Sequence, residues 1–124
     1  MSEDAPAIGD IVALAIDSAE PQKLARWWAQ LLGGTVEDDP DGDATLKTLR
    51  TPGGLAIDFL TVPEGKTVKN RLHLDLGSSD FDAAVEQARA LGATDADDVY
   101  DGTSWKVLRD PEGNEFCILR PPRR

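Results

Sequence analysis

The first half of the chain switches from strand-like to helix-like spacing of its apolar residues. Residues 11–17 form a β-branched and apolar run, which predicts a strand. Pro21 follows at a position typical of the first turn of a helix. The next apolar residues recur three and four positions apart and predict one buried helical face, made of Leu24, Trp27, Trp28, Leu31 and Leu32. Gly33 stands where a left-handed cap would end this helix.

Three short strands complete this first unit, and the same order of elements then begins again. The strands are predicted at 35–36, 44–50 and 55–62, with a proline and glycine turn between the last two. In the second unit a helix capped by Ser79 follows the first strand. The strands predicted there lie at 70–76, 94–100, 105–109 and 115–120. We expect a single domain over 1–124, with unit one at about 8–63, a linker at about 63–69 and unit two at about 70–121.

The two units are related by a constant offset of 59 residues, so that Pro52 corresponds to Pro111. The sequence LKTLRTPGG at 46–54 returns as WKVLRDPEG at 105–113, and no gap is needed. Two similar units that each lack a full core must pack against one another, and the seam between them is a natural place for a pocket. The repeat therefore bears on function as well as on fold.

The charge and cysteine content narrow the classes of partner. With 13 basic and 23 acidic residues the formal net charge is −10, which argues against nucleic acid or an anionic membrane as a partner. Cys117 is the only cysteine, so no internal disulfide can form. No signal peptide or membrane-spanning apolar run is recognisable, and we expect a cytoplasmic location.

Three sequence motifs resemble those of the vicinal oxygen chelate superfamily, which contains glyoxalase-like and bleomycin-resistance-like proteins. They are LARWW at 24–28 with LLG at 31–33, LHLDL at 72–76, and DPEGNEFCIL at 110–119. The resemblance covers 11–121 and implies an α+β fold in which two tandem βαβββ units form a curved mixed sheet with a cleft. It is specific for fold and weak for activity, because the superfamily hosts isomerases, dioxygenases, resistance enzymes and drug-binding proteins.

The resemblance also implies where a divalent metal would be held, by the first and last strands of both units. The corresponding positions here are Leu14, Asp58, His73 and Cys117. Leu14 cannot ligate a metal, and about three protein ligands are needed beside an open substrate position. We therefore expect no cofactor, although a divalent metal on Asp58 and His73 remains an alternative. An alignment shifted by one residue would place Arg71 or Asp75 in the pocket instead of His73.

Single residues of the cleft allow a catalytic and a structural interpretation. His73 is the only histidine and our candidate catalytic residue, able to polarise a substrate oxygen or accept a proton with Asp58 as its partner; alternatively it is a wall residue. Cys117 is by default a small buried hydrophobe. Tyr100 and Trp105 flank a glycine-containing turn and could stack on a flat ligand, although core packing also explains Trp105.

Three functions are compatible with these features. The first is a protein that binds a small molecule in the cleft between the units without a catalytic metal. The second is a divalent-metal-dependent lyase, isomerase or dioxygenase. The third is an accessory module whose paired tryptophans, Trp27 and Trp28, contact a protein partner. A homodimer is expected from the resemblance in each case, and it would also cover exposed sheet edges.

Overall fold

Two helices and eight strands form the part of the protein that the computed structural model describes, residues 9–38, 45–96 and 105–120. The first unit contains β1 (Ala13–Ser18), α1 (Pro21–Leu32), β2 (Thr35–Asp38), β3 (Leu46–Arg50) and β4 (Ala56–Thr61). The second contains β5 (Leu74–Gly77), α2 (Phe81–Ala90), β6 (Thr94–Asp95), β7 (Trp105–Arg109) and β8 (Glu115–Leu119). Each unit therefore has the predicted βαβββ order.

The strands form two four-stranded mixed sheets that share one topology. Sheet A has the order β1-β4-β3-β2, and sheet B has the order β5-β8-β7-β6. In each sheet the first and last strands of the unit pair in parallel, while the other pairs are antiparallel. A parallel pair needs a crossover connection, which the helix of each unit supplies. The predicted α+β fold class is confirmed, with β1 and β5 at the edges of their sheets.

The helix starts differ from the prediction in the second unit only. Helix α1 begins at Pro21, as expected, and Gly33 follows it with a positive φ of 81°. Helix α2 is capped by Asp80 and not by Ser79, because the Asp80 carboxylate accepts a hydrogen bond from the backbone N–H of Ala83 at 3.1 Å. Carboxylate and hydroxyl caps are equally favourable, so local sequence did not distinguish the two neighbours.

The strands of the second unit are shorter than predicted at two places. Residues 70–73 precede β5, which begins at Leu74, and they are not part of a strand. The strand expected at 94–100 is represented by Thr94–Asp95, and residues 97–100 lie outside the described part. Residues 70–73 are held by a side chain instead: the amide of Asn70 donates a hydrogen bond to the backbone oxygen of Glu115 at 3.2 Å.

Aromatic packing joins the two units through α1. The rings of Trp27 and Trp28 meet the ring of Phe116 edge to face, with centroid distances of 5.9 and 5.0 Å. Both tryptophans are buried, with 7% and 1% of their surface exposed. The indole N–H of Trp27 donates to the backbone oxygen of Leu91 at 2.8 Å, which is also a contact between units. The expectation that this tryptophan pair offers a surface to a protein partner is therefore wrong.

The first strands of the two units differ in register by one residue. In sheet A, Asp58 lies opposite Ala15, whereas in sheet B its repeat equivalent Cys117 lies opposite Asp75. The 59-residue offset would have placed Leu74 opposite Cys117. The expectation that the repeat needs no gap is wrong for these strands, which are related by an offset one residue longer. The shift decides which side chains of β5 share a face with Cys117.

Candidate functional site

Three potential metal-ligating side chains converge on one face of sheet B. Asp75 lies directly opposite Cys117 in the parallel β5–β8 pair, and His73 lies two residues before Asp75. His73 immediately precedes β5, and the contacts of its imidazole place it on the same face as Asp75 and Cys117. The His73 Nδ1 atom is 3.2 Å from an Asp75 carboxylate oxygen and 3.8 Å from the Cys117 sulfur.

This group, which we call the unit-two cluster, consists of His73, Asp75 and Cys117. Its potential ligand atoms all lie within 4.8 Å of one another. Burial increases across the cluster: the Asp75 side chain is 49% exposed and the His73 side chain 30%, whereas Cys117 is buried. Asp75 is one of the two residues, with Arg71, that the alternative alignment named. The structure brings it beside His73 rather than in place of it.

The equivalent face of sheet A carries a different arrangement. Asp58 accepts a hydrogen bond of 2.6 Å from the hydroxyl of Thr48, its partner across the β3–β4 pair. Its partner on β1 is Ala15, which has no ligating atom. Leu14 lies opposite Ile57 and therefore on the other face of sheet A from Asp58. The structure does not gather the four positions that the resemblance implied around one point.

A cavity of about 310 Å³ lies at the seam between the two units. We call it the seam cavity. His73 is part of its wall, and Asn70, Asn114 and Glu115 supply further polar groups. The rest of the lining is apolar or aromatic and comprises Leu14, Ala15, Ile16, Trp28, Leu72, Leu74 and Phe116. The predicted positions Leu14 and His73 thus face one space, although they do not form a metal site.

Glu115 gives the wall of the seam cavity a buried negative charge. Burial raises the pKa of its carboxyl, whereas the backbone N–H of Asn70 and the ammonium group of Lys66 lower it. The lowering is the larger effect, so the pKa lies below its ordinary value. These donors are 2.7 and 2.9 Å from the carboxylate oxygens. The carboxylate therefore stays ionised and ties the segment between the units to β8.

Two other predicted cleft residues lie away from the seam or outside the described part. Trp105 packs beside a small apolar cluster of Ala96, Val107 and Cys117 on the same face of sheet B as the unit-two cluster. This packing matches the structural alternative that the sequence indicated for Trp105, which is core packing. Tyr100 lies outside the described residues.

A larger cavity of about 630 Å³ lies beside α1. Its lining includes Lys23, Arg26, Trp27 and Lys47, and none of the residues predicted for the cleft. The ammonium group of Lys47 already pairs with the Asp38 carboxylate at 2.7 Å, so it is not free to bind an anionic ligand in this cavity. We therefore regard the smaller seam cavity, which joins both units and contains the histidine, as the candidate binding site.

Sequence reasoning missed the amide and carboxylate groups of Asn70, Asn114 and Glu115 in the seam wall. The signal for Asp75 was available, because alternation places it on the same strand face as His73. For the other three, no local pattern indicates which cavity a loop or strand end will reach.

No helix within residues 9–38, 45–96 and 105–120 is both long and apolar enough to cross a membrane.

Comparison with known proteins identifies the family and the fold. A family model described as a glyoxalase-like domain matches residues 13–119. A glyoxalase/bleomycin resistance protein/dioxygenase family enzyme from Burkholderia phytofirmans PsJN superposes with a TM-score of 0.70 at 22% identity, covering 90% of this chain and 98% of that one. A search of curated protein sequences found no match.

Two further structures with this fold carry different functional descriptions. TnmS3, an antibiotic binding protein from Streptomyces sp. CB03234, has a TM-score of 0.68 at 16% identity, covering 95% of this chain and all of its own. The fosfomycin resistance protein FosX from Listeria monocytogenes has a TM-score of 0.71 at 12% identity, with 94% of each chain covered. At these identities the likeness establishes the fold alone.

Proposed function

The chain belongs to the glyoxalase-like domain family, within the vicinal oxygen chelate superfamily, and from this membership we propose that it binds a small, largely apolar molecule in the seam cavity. The observation that carries the proposal is the composition of that cavity. Aromatic and aliphatic side chains of both units form most of its wall, and His73 provides a hydrogen-bonding group. Ligand sites in proteins usually combine a mostly apolar wall with a few polar groups.

The size and chemistry of the seam cavity favour a compact ligand with an aromatic or aliphatic body. A volume of about 310 Å³ is at the lower end of the usual range for small-molecule sites. Trp28 and Phe116 offer aromatic surface, and the ring nitrogens of His73 can hydrogen-bond to a ligand.

The residues at the four implied metal positions do not fit the divalent metal of the superfamily's enzymes. Leu14 has no donor atom, and the carboxylate of Asp58 is engaged by Thr48. Asp58 is also absent from the only group of three potential ligands found among the described residues. We therefore propose that ligand binding in the seam cavity does not use a metal shared by the two units. The relatives' functional descriptions, antibiotic binding and fosfomycin resistance, guide the choice of test compounds.

Ligand titration followed by tryptophan fluorescence tests this proposal, because Trp28 is part of the cavity wall. The panel contains planar aromatic antibiotics, simple aromatic and aliphatic compounds, and fosfomycin as a small anionic comparison. Leu72, which is 86% exposed at the cavity, is changed to Asp, and Val68, which is 73% exposed and outside this cavity, is changed to Asp as the matched control.

We expect the Leu72→Asp variant to raise the dissociation constant of a bound aromatic compound about tenfold, because a charge replaces apolar contact area. The Val68→Asp variant should bind like the unchanged protein. His73→Ala should weaken the binding of ligands that carry a hydrogen-bonding group more than that of purely apolar ones. Equal weakening by Leu72→Asp and Val68→Asp would place binding elsewhere and overturn the proposal.

A further inference from the structure

We propose that the unit-two cluster binds one zinc-type divalent ion through the His73 imidazole, the Asp75 carboxylate and the Cys117 thiolate. This site lies within the second unit alone. It differs from the four positions that the superfamily resemblance implied, since it needs neither Leu14 nor Asp58 and adds Asp75. The inference does not rest on the proposed function, which concerns the neighbouring seam cavity.

Two distances within the cluster, both measured from the His73 imidazole, are close to those between neighbouring ligands of a tetrahedral zinc ion. Zinc lies about 2.0 Å from nitrogen or carboxylate oxygen and about 2.3 Å from sulfur, so tetrahedral angles separate adjacent ligand atoms by about 3.3–3.6 Å. The nitrogen–oxygen distance here is 3.2 Å and the nitrogen–sulfur distance 3.8 Å. The Asp75 oxygen and the Cys117 sulfur lie within 4.8 Å of each other, and rotation of the partly exposed Asp75 side chain would complete the set of ligands.

Strand pairing holds Asp75 and Cys117 on one face before any ion arrives, because they are direct partners in the β5–β8 ladder. His73 immediately precedes β5, and its imidazole contacts both side chains. With the register of sheet A, Leu74 would stand opposite Cys117, and Asp75 would point to the other face. The one-residue shift therefore places Asp75 beside Cys117, whereas in unit one Ala15, opposite Asp58, has no ligating atom.

The donor set selects the ion. A thiolate and an imidazole favour zinc and other late transition metals, whereas magnesium and calcium prefer oxygen ligands only. Three protein ligands leave one tetrahedral position open, as in zinc sites that accept water or a small molecule. Because His73 is also part of the seam cavity wall, a bound ion would adjoin the proposed ligand space.

Apolar side chains surround the Cys117 end of the unit-two cluster and favour ion binding there. Cys117 is 2% exposed and lies in an apolar cluster with Ala96 and Val107, against which Trp105 and Leu119 pack. An apolar shell limits solvent access and strengthens the electrostatic attraction between the ion and its anionic ligands. The exposed Asp75 on the opposite side of the cluster leaves a path from solvent.

The test compares two single-atom changes of carboxylate to amide in the full chain. Zinc affinity is measured by competition with a chromophoric chelator for the unchanged protein, Asp75→Asn and Asp58→Asn. Cobalt substitution gives a second readout, because a thiolate ligand produces a charge-transfer absorption that His73→Gln should preserve and Cys117→Ser should remove. Circular dichroism of each metal-free variant establishes that the fold is retained.

We expect one zinc ion per chain and at least about a tenfold loss of affinity in Asp75→Asn, since even residues that only orient ligands are worth that much. Asp58→Asn should bind zinc like the unchanged protein. Absence of stoichiometric zinc binding by the unchanged protein would overturn the proposal. A loss confined to Asp58→Asn would overturn it too, in favour of a metal shared between units. Neither result would affect aromatic ligand binding, which is measured separately in metal-free protein.

Discussion

The turns at 51–54 and 110–114 occupy the same position in the two units but bind different parts of the molecule. In the first, Thr51 donates its hydroxyl to the backbone oxygen of Leu55 at 2.6 Å, and the turn stabilises itself. In the second, two carboxylates reach across to the first unit. The turn of the second unit therefore closes its hairpin and also joins the two units through side-chain hydrogen bonds.

Asp110 and Glu112 make these connections. Asp110 is 3% exposed and accepts hydrogen bonds from the indole N–H of Trp28 at 3.0 Å and from backbone N–H groups of its own turn. Glu112 accepts from the hydroxyl of Ser18 at 2.6 Å and from the backbone N–H groups of Ala19 and Glu20. Its carboxylate therefore binds the segment that leads from β1 into α1 and lies near the positive N-terminal end of that helix.

The two units thus share one backbone pattern, while single side chains at equivalent positions make different contacts. Position 53 is glycine in the first unit and position 112 is glutamate in the second. The same division is visible on the sheets, where Asp58 meets a threonine and Cys117 meets a histidine and an aspartate. Paired substitutions at equivalent positions can measure this asymmetry.

The largest effect is expected at Asp110. Asp110→Ala should lower the free energy of unfolding by about 3 kcal/mol or more, because several charge-assisted hydrogen bonds are lost and the buried Trp28 N–H is left without its acceptor. The equivalent change Thr51→Ala should cost about 1 kcal/mol or less. Urea unfolding of both variants measures the difference, and equal losses would contradict the assignment of the second turn as the inter-unit connection.

Glu115 is expected to come next, and its effect should depend on pH. Its repeat equivalent Ala56 has the same 4% exposure but carries no charge. Glu115→Gln should cost about 2 kcal/mol at neutral pH, because Lys66 and Arg109 lose an ionised acceptor. Since folding lowers the pKa of this carboxyl, its contribution is present above the ordinary value of 4.5 and is lost as the pH falls through the folded-state pKa.

Unfolding free energies measured from neutral pH down to about pH 3 test this pH dependence. The curve of Glu115→Gln should be flatter at acid pH than that of the unchanged protein. Asp95→Asn is a suitable control, because Arg89 lowers the pKa of Asp95 but the Asp95 side chain is 37% exposed. Solvent screening should make its contribution smaller. An unchanged acid limb in Glu115→Gln would show that this carboxyl is not stabilised by folding.

A smaller loss is expected at Glu112, whose counterpart Gly53 has no side chain to reach α1. Glu112→Ala should lower the free energy of unfolding by about 1 kcal/mol, because the Ser18 hydroxyl and the backbone N–H groups of Ala19 and Glu20 lose a partly exposed acceptor. Glu86→Ala, which removes an exposed pair with Arg89 on α2, should cost below about 0.5 kcal/mol. Thermal unfolding of both variants measures the two losses. A loss in Glu112→Ala no larger than that in Glu86→Ala would contradict a stabilising role for the Glu112 contact across the units.

The smallest expected effect concerns the Thr48–Asp58 pair on sheet A. Thr48→Val keeps the shape of the side chain and removes one hydrogen bond, so we expect a loss of about 0.5 kcal/mol in stability. Zinc binding by the unit-two cluster should be unchanged in this variant. If Thr48→Val raised zinc affinity, the freed Asp58 carboxylate would be acting as a ligand, and the two sheets would be less independent than the comparison indicates.

Much of the fold could be predicted because it follows from local spacing. The three- and four-residue spacing that includes Leu24 and Trp28 predicted α1. The return of Lys-x-Leu-Arg before a proline turn predicted that β3 and β7 occupy equivalent positions in the two units. Motifs around Asp110 pointed to the family that the comparison confirms. Burial of both Trp27 and Trp28 was harder to predict, because it depends on Phe116 from the other unit.

The sequence by itself determined the duplicated βαβββ pattern, the absence of a donor at Leu14 and the candidate role of His73. Only the tertiary structure decided that Asp75 and Cys117 stand opposite one another. A register shift of one residue turns every side chain of a strand to the other face, while it changes almost nothing in the local pattern that sequence reasoning can detect. That choice is made by how β5 fits between β8 and the seam, and therefore by contacts between residues that are far apart in the chain.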